Sequence, residues 1–263
     1  MPCTVKAVVD WLEETFPPET AEVWDSVGLQ VGDMESPVAR LIVALDPTVE
    51  AVQAAAGQGA SLLVTHHPVW LQPLRTIRTQ EPVGRIIWAS IRSGVSVYCA
   101  HTNLDRAAGG PNDLLARLVG LREVEPVMAG MGRVGRLTTP MSLRDFCLRV
   151  QAGFPGAPVR LAGQCRGEVD RVAVCCGSGA SALEAALAQG AQILVTGDVR
   201  YHDARRAESL GLALLDVGHF ASERIVVPWL CEEIETASHG RGWGIDVLAY
   251  EGELEPFRIP AAP

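Results

Sequence analysis

The chain lacks the cysteine signature of a structural zinc site. None of its seven cysteines forms a C-x-x-C pair, and Cys175 and Cys176 are adjacent, where a disulfide would be strained. Cys99, Cys147 and Cys231 lie in apolar runs and read as small buried hydrophobes. A reduced, cytoplasmic protein is the simplest expectation. No apolar run approaches the roughly 18 residues that span a bilayer, so no membrane segment is expected. The opening Met1-Pro2-Cys3-Thr4-Val5-Lys6 has no cationic start leading into an apolar core, so no signal peptide is expected. The G-x-x-x-x-G-K-[ST] loop is missing, and no G-x-G-x-x-G follows a strand. Basic charge is also short: 22 Lys and Arg face 31 Asp and Glu, a net charge of -9. That balance argues against nucleic-acid binding, which would need a local basic surface such as Arg75, Arg78 and Arg85.

What is present is a globular composition, 48% hydrophobic and 20% charged over 263 residues. That suffices for two modest α/β domains with real cores. Three histidine clusters each follow a strand-like segment. His66-His67 ends the run Leu62-Leu63-Val64-Thr65. His101-x-x-x-Asp105 follows Val95 to Ala100, and His219-x-x-x-Glu223 follows Leu212 to Gly218. Ligands on loops at strand ends, held by a sheet, are how an α/β protein builds a metal site. Imidazole and carboxylate suit Zn, Mn, Fe or Ni. Two adjacent histidines plus two acids exceed one closed tetrahedral site and favour two divalent ions.

The chain echoes itself. Gly59-Ala60-Ser61-Leu62-Leu63-Val64-Thr65 matches Gly190-Ala191-Gln192-Ile193-Leu194-Val195-Thr196 at Gly, Ala, Leu, Val and Thr. Each copy follows an alanine-rich helical segment (48–58, then 178–189), itself preceded by a short apolar strand (41–45, then 171–175). Strand, helix and strand read as a βαβ unit. Its recurrence with His-x-x-x-acid implies two similar lobes. Glycines and prolines thicken between Leu121 and Arg136. The lobes are expected at 1–125 and 126–263, the C-terminal segment packing back on the first. Helices are expected over 4–16 with Thr4 as N-cap, 82–93, 112–119, 142–152 and 222–236, the last disturbed by Pro228. Gly244 to Leu248 reads as the last strand and Pro256 to Pro263 as a tail.

Several residues keep two readings. Asp105 is a ligand or a turn cap, and Glu223 a ligand or a complement to a helix dipole. His219 and Glu223 share a helix face at i, i+4. His101 is a ligand, a donor orienting Asp105, or a proton shuttle. His202 sits where the second copy echoes His66-His67, and is a candidate acid/base or substrate contact. His239 reads as a surface residue in a polar turn. Cys175-Cys176-Gly177-Ser178-Gly179 is an anion cradle opening a helix or, the reading favoured by its spacing, an ordinary turn. Trp24 to Asp33 is a stretch whose two glycines let backbone approach a ligand, or an ordinary loop and short strand.

Together these segments resemble the Nif-three-like dinuclear metal proteins, often labelled GTP cyclohydrolase I type 2 homologues. The matching stretches are Trp24 to Gly32, Thr65-His66-His67-Pro68, His101-Thr102-Asn103-Leu104-Asp105, Gly197 to Ala204 and Gly218 to Glu223. The resemblance implies two α/β lobes with a metal site between them. Its ligands would be His66, His67, Asp105, His219 and Glu223, with Glu223 bridging and His101 behind the ligands. It also implies a toroidal homohexamer, here without the inserted domain some members carry. The expected activity is metal-dependent hydrolysis of a small, nucleotide-like substrate, with His101 or His202 relaying protons. A metal-handling or regulatory protein without turnover is the alternative.

Overall fold

The computed structural model describes residues 2–165 and 167–257. The expected tail therefore lies mostly outside the described residues. The chain divides into two compact units. The first holds the chain up to Leu104 together with Val226–Leu254, and the second holds Asp105–Ile225 and the segment after Leu254.

The first unit opens with α1 (Val5–Thr15), capped by Thr4, whose hydroxyl accepts from the Ala7 amide at 3.3 Å. It continues through β1 (Gly28–Val31), β2 (Arg40–Ala44), α2 (Val49–Gly57), β3 (Leu62–Thr65), α3 (Pro82–Ser93) and β4 (Ser96–Cys99). The chain crosses to the second unit within the short helix α4 (Thr102–Arg106). There it forms α5 (Pro111–Val119), β5 (Leu121–Val127), β6 (Gly132–Met141), α6 (Leu143–Gly153), β7 (Arg160–Ala162) and β8 (Val169–Val174). Then come α7 (Leu183–Ala188), β9 (Ile193–Thr196), α8 (Tyr201–Leu210), β10 (Ala213–Asp216) and α9 (His219–Glu223). It returns to the first unit as α10 (Val226–Arg241) and β11 (Asp246–Ala249). The 125/126 division expected from the glycines and prolines falls inside β5. That stretch is instead a β5–β6 hairpin, turned by Met128, Ala129 and Gly130 at positive φ.

The first sheet runs β1-β4-β3-β2-β11, parallel except for β1. The second runs β5-β6-β8-β9-β10-β7, with β8, β9 and β10 parallel. Both contain three successive parallel strands joined by helices, as the βαβ reading expects. Central strands covered on both faces read as unbroken apolar runs, which is why 62–65 and 193–196 are wholly buried. Alternation still sorts them. Ile193 and Val195 pack with Phe146 and Leu215, while Leu194 packs with Leu183 and Ala207 toward the other face. In the first sheet Ile42, Leu63 and Val97 meet Val52 and Ile87.

One expected helix is two. The span 222–236 divides into α9 and α10, and Pro228 does not disturb the second. It stands in the first turn of α10, where a missing N–H costs no helical bond. His239, expected in a turn, is exposed in the last turn of α10.

A buried charge holds the second unit's hairpin. Arg133 on β6 is 5% exposed and grips Asp113 on α5 through Nε and Nη2, both at 2.8 Å. Its other bonds go to the carbonyls of Gly130, Gly132 and Ala107. Burial alone would raise the Asp113 carboxyl, but Arg133 holds it below its ordinary value. Asp113→Ala leaves the guanidinium buried without its counter-ion and should cost about 3 kcal/mol. Urea unfolding checks this, and a loss under about 1 kcal/mol would show that the carbonyls alone satisfy Arg133.

Candidate metal centre

Parallel strands in register bring their loops out at one edge. In the first sheet Ala44, Thr65 and Cys99 stand level. One residue on come Leu45, His66 and Ala100, and one further Asp46, His67 and His101. The structure thus gathers His66, His67 and His101, with ring centroids 5.2, 5.2 and 5.5 Å apart. One ring nitrogen of each lies within 4.8 Å of the others.

Each imidazole is held by its Nδ1. His66 donates to the Ala100 carbonyl at 3.1 Å, His67 to Asp46 Oδ1 at 2.8 Å, and His101 to Asp25 Oδ1 at 2.9 Å. A carbonyl or carboxylate can only accept, so each Nδ1 carries a proton, and in the neutral ring the lone pair is then on Nε2. That is the tautomer a metal ligand needs, with its orienting partner in place. Burial alone would raise the Asp25 carboxyl. Hydrogen bonds from His101 and Thr102 overcome this and hold it far below the usual carboxylate range. At the end of β2, Glu253 Oε1 accepts from the Leu45 and Asp46 amides, both at 2.7 Å.

The second unit repeats the device. His219, opening α9 after β10, donates from Nδ1 to Asp198 Oδ2 at 2.7 Å and places Nε2 2.8 Å from Glu223 Oε2. Asp198 follows β9 with φ of 51°, a left-handed conformation that costs a non-glycine residue energy. Glu223 is 3% exposed. The Cys175–Gly179 turn passes close to this carboxylate at Gly177, while its amides at Cys176, Gly177 and Gly179 donate to Asn112, Ser222 and Thr196. Gly177 has φ of +62°, and a Cβ there would stand 2.0 Å from Glu223 Oε1. Its amide donates to Ser222 Oγ at 3.0 Å, and that hydroxyl donates to the His219 carbonyl.

Asp105, on α4, is 7% exposed. Buried Asn112 donates to its carbonyl at 3.0 Å and accepts from the Cys176 amide at 2.9 Å. Burial first, then the charges of Asp105 and Glu223, push the Cys175 thiol up to about 12 and the Cys176 thiol well above its ordinary value. Thiols raised in this way suit packing as small buried hydrophobes. His202 stands apart. It is exposed on α8, its ring 5.4 Å from that of Tyr201. Asp25, Asp46 and Asp198, which hold the imidazoles, and Glu253, which holds the end of β2, are positions the residues alone do not single out. A strand ending in Asp, as at Leu45-Asp46 and Gly197-Asp198, was the available signal.

The donor set fits a divalent metal: imidazoles with Nδ1 engaged, beside carboxylates. Two expected outcomes follow. Gly177→Ala adds overlap with Glu223 to the positive-φ strain, whereas Gly156→Ala, with open space around it, adds strain alone. By urea unfolding the first should cost at least about 1 kcal/mol more than the second. Equal costs would show that space beside Glu223 is not limiting. Asp25→Asn should lower stability at pH 7. A carboxyl depressed by folding stabilises fully above its unfolded value, about 3.9, and loses that effect as pH falls toward its folded value. The gap to wild type should therefore narrow below about pH 4, and a gap that does not change would remove this assignment.

Residues 3–256 match the family model Duf34/NIF3 (NGG1p interacting factor 3). A Streptomyces coelicolor protein named GTP cyclohydrolase 1 type 2 homolog is 35% identical, the match covering 97% of this chain and 95% of that one. The crystal structure of a Bacillus cereus protein related to NIF3 superposes with a TM-score of 0.93 at 23% identity, covering 98% of this chain and 100% of that one. A Staphylococcus aureus protein, SA1388, does so with a TM-score of 0.91 at 26% identity and the same coverage. The chain belongs to the Duf34/NIF3 family.

Proposed function

We propose that this chain binds two divalent metal ions (Zn, Fe, Mn or Ni) through His66, His67, Asp105, His219 and Glu223, Glu223 bridging, and hydrolyses a small substrate with them. The observation that carries the proposal is the uniform anchoring of imidazole Nδ1 atoms by fixed acceptors. Rings oriented in advance cost little to organise around an ion. The name of the Streptomyces relative supports a nucleotide-like substrate.

A divalent pair supplies Lewis-acid polarisation and brings the acidity of water toward neutral pH. The chain's own residues do the rest. Asp46 and Asp198 keep His67 and His219 aimed. His101, with Nδ1 on anionic Asp25, takes or gives a proton at Nε2 in the manner of a carboxylate-supported base. His202, exposed on α8, is proposed as a substrate contact and not as the base. A homohexamer is proposed on the family resemblance. Among the described residues no helix is long and apolar enough to cross a membrane.

Elemental analysis of gently purified protein tests the proposal. About two divalent ions per chain are expected, lost in His67→Ala and Glu223→Gln. Asp46→Ala and Asp198→Ala should weaken binding about 10–100-fold. Hydrolysis of nucleotides should follow the metal content. No metal in wild type after reconstitution, or full turnover by metal-free Glu223→Gln, would overturn the proposal. Tightly loaded metal with no turnover would favour the non-catalytic alternative.

A further inference from the structure

Trp24 is an exposed aromatic in an otherwise well-anchored turn. It is 52% exposed, and Val23 beside it is fully open to solvent. A single exposed apolar ring is ordinary on a protein surface, and what sets this one apart is how firmly it is held. Here the backbone is stapled. The Glu22 amide donates to Thr102 Oγ1 at 2.9 Å, and the Asp25 amide closes the turn onto the Glu22 carbonyl. Asp25 Oδ2 accepts from the Thr102 amide at 3.0 Å, while Oδ1 holds His101 and accepts from the Ser26 amide at 2.7 Å.

The turn is thus fixed to the loop that carries His101. The indole lies 6.0 Å from the His101 ring, inclined at 75°. A contact so near perpendicular does not stack the two rings, and at 52% exposure part of the indole is open beside His101. The hydrogen bonds that tie Asp25 to the His101 loop thus also hold a half-exposed aromatic ring at a fixed place.

We infer that Trp24 is a stacking platform for a nucleobase, holding a nucleotide beside His66, His67 and His101. It deepens the metal reading above and depends on it only for what happens to the bound nucleotide. An indole stacks on any base, because every base has a π-face, and one such stack is worth about tenfold or more in affinity. Trp24 is therefore a binding residue that selects for a planar ring. The phosphates are left to other groups.

The test compares GTP, ATP and UTP with inorganic triphosphate, by calorimetry on the metal-reconstituted full chain, in wild type, Trp24→Ala and Trp24→Phe. Wild type should bind at least one nucleotide about tenfold more tightly than triphosphate. Trp24→Ala should lose that preference while binding triphosphate as before, and Trp24→Phe should keep most of it. Metal content and melting temperature, measured on the same samples, should match wild type. Nucleotide binding no tighter than triphosphate, or a preference that survives Trp24→Ala, would overturn the inference. If wild type carries no metal but shows the preference and Trp24→Ala abolishes it, the stacking role stands and the metal reading fails.

Discussion

The register of the parallel strands is the constraint on which everything else rests. Backbone hydrogen bonds between β2, β3 and β4 fix which residues leave the sheet together, and so fix that Asp46, His67 and His101 emerge at one level. A slip by one residue would exchange His66 for His67 at every level and turn the buried runs inside out. In the second sheet the same logic sets Gly177, Asp198 and Gly218 level beyond β8, β9 and β10. The apolar interior therefore does two things at once. It pays the entropy of folding, and it sets the coordinates of the polar groups at the strand ends.

Those polar groups are then aimed by acceptors from neighbouring loops. Asp25 comes from the turn before β1, Asp46 from the end of β2 and Asp198 from the end of β9, so no histidine is oriented by its own loop alone. Ionised acceptors make the stronger hydrogen bonds, which suits a ring that must not rotate. The arrangement has a cost in the left-handed backbone of Asp198. Strain of that kind persists where the surroundings over-determine it, as β9 and α8 do on either side.

Much of this was legible from the residues. Apolar runs ending in histidine reveal both a buried strand and its chemistry, so β3, β4 and β10 and the residues after them could be read directly. The orienting aspartates could not, because Asp after a strand is also the ordinary start of a turn, and Asp25 meets His101 only through the tertiary fold. Short or exposed strands were missed for a related reason. Arg160–Ala162 is three residues with no buried position, and Leu121–Val127 is buried only at its ends. Neither shows the alternation by which a half-buried strand is recognised. The break between α9 and α10 was obscured because Pro228 drew attention to the wrong residue. A proline in a first turn marks a helix that has just begun.

The contact between Gly177 and Glu223 has a consequence for how such a chain can vary. With the glycine's missing side chain filled by a carboxylate oxygen, the two positions form one steric unit drawn from separate loops. Any larger residue at 177 excludes a glutamate at 223 in this rotamer. A shorter aspartate at 223 would pull its oxygens back and leave a void beside 177. A substitution at either position is therefore felt at the other: a larger residue at 177 requires the 223 side chain to take another course.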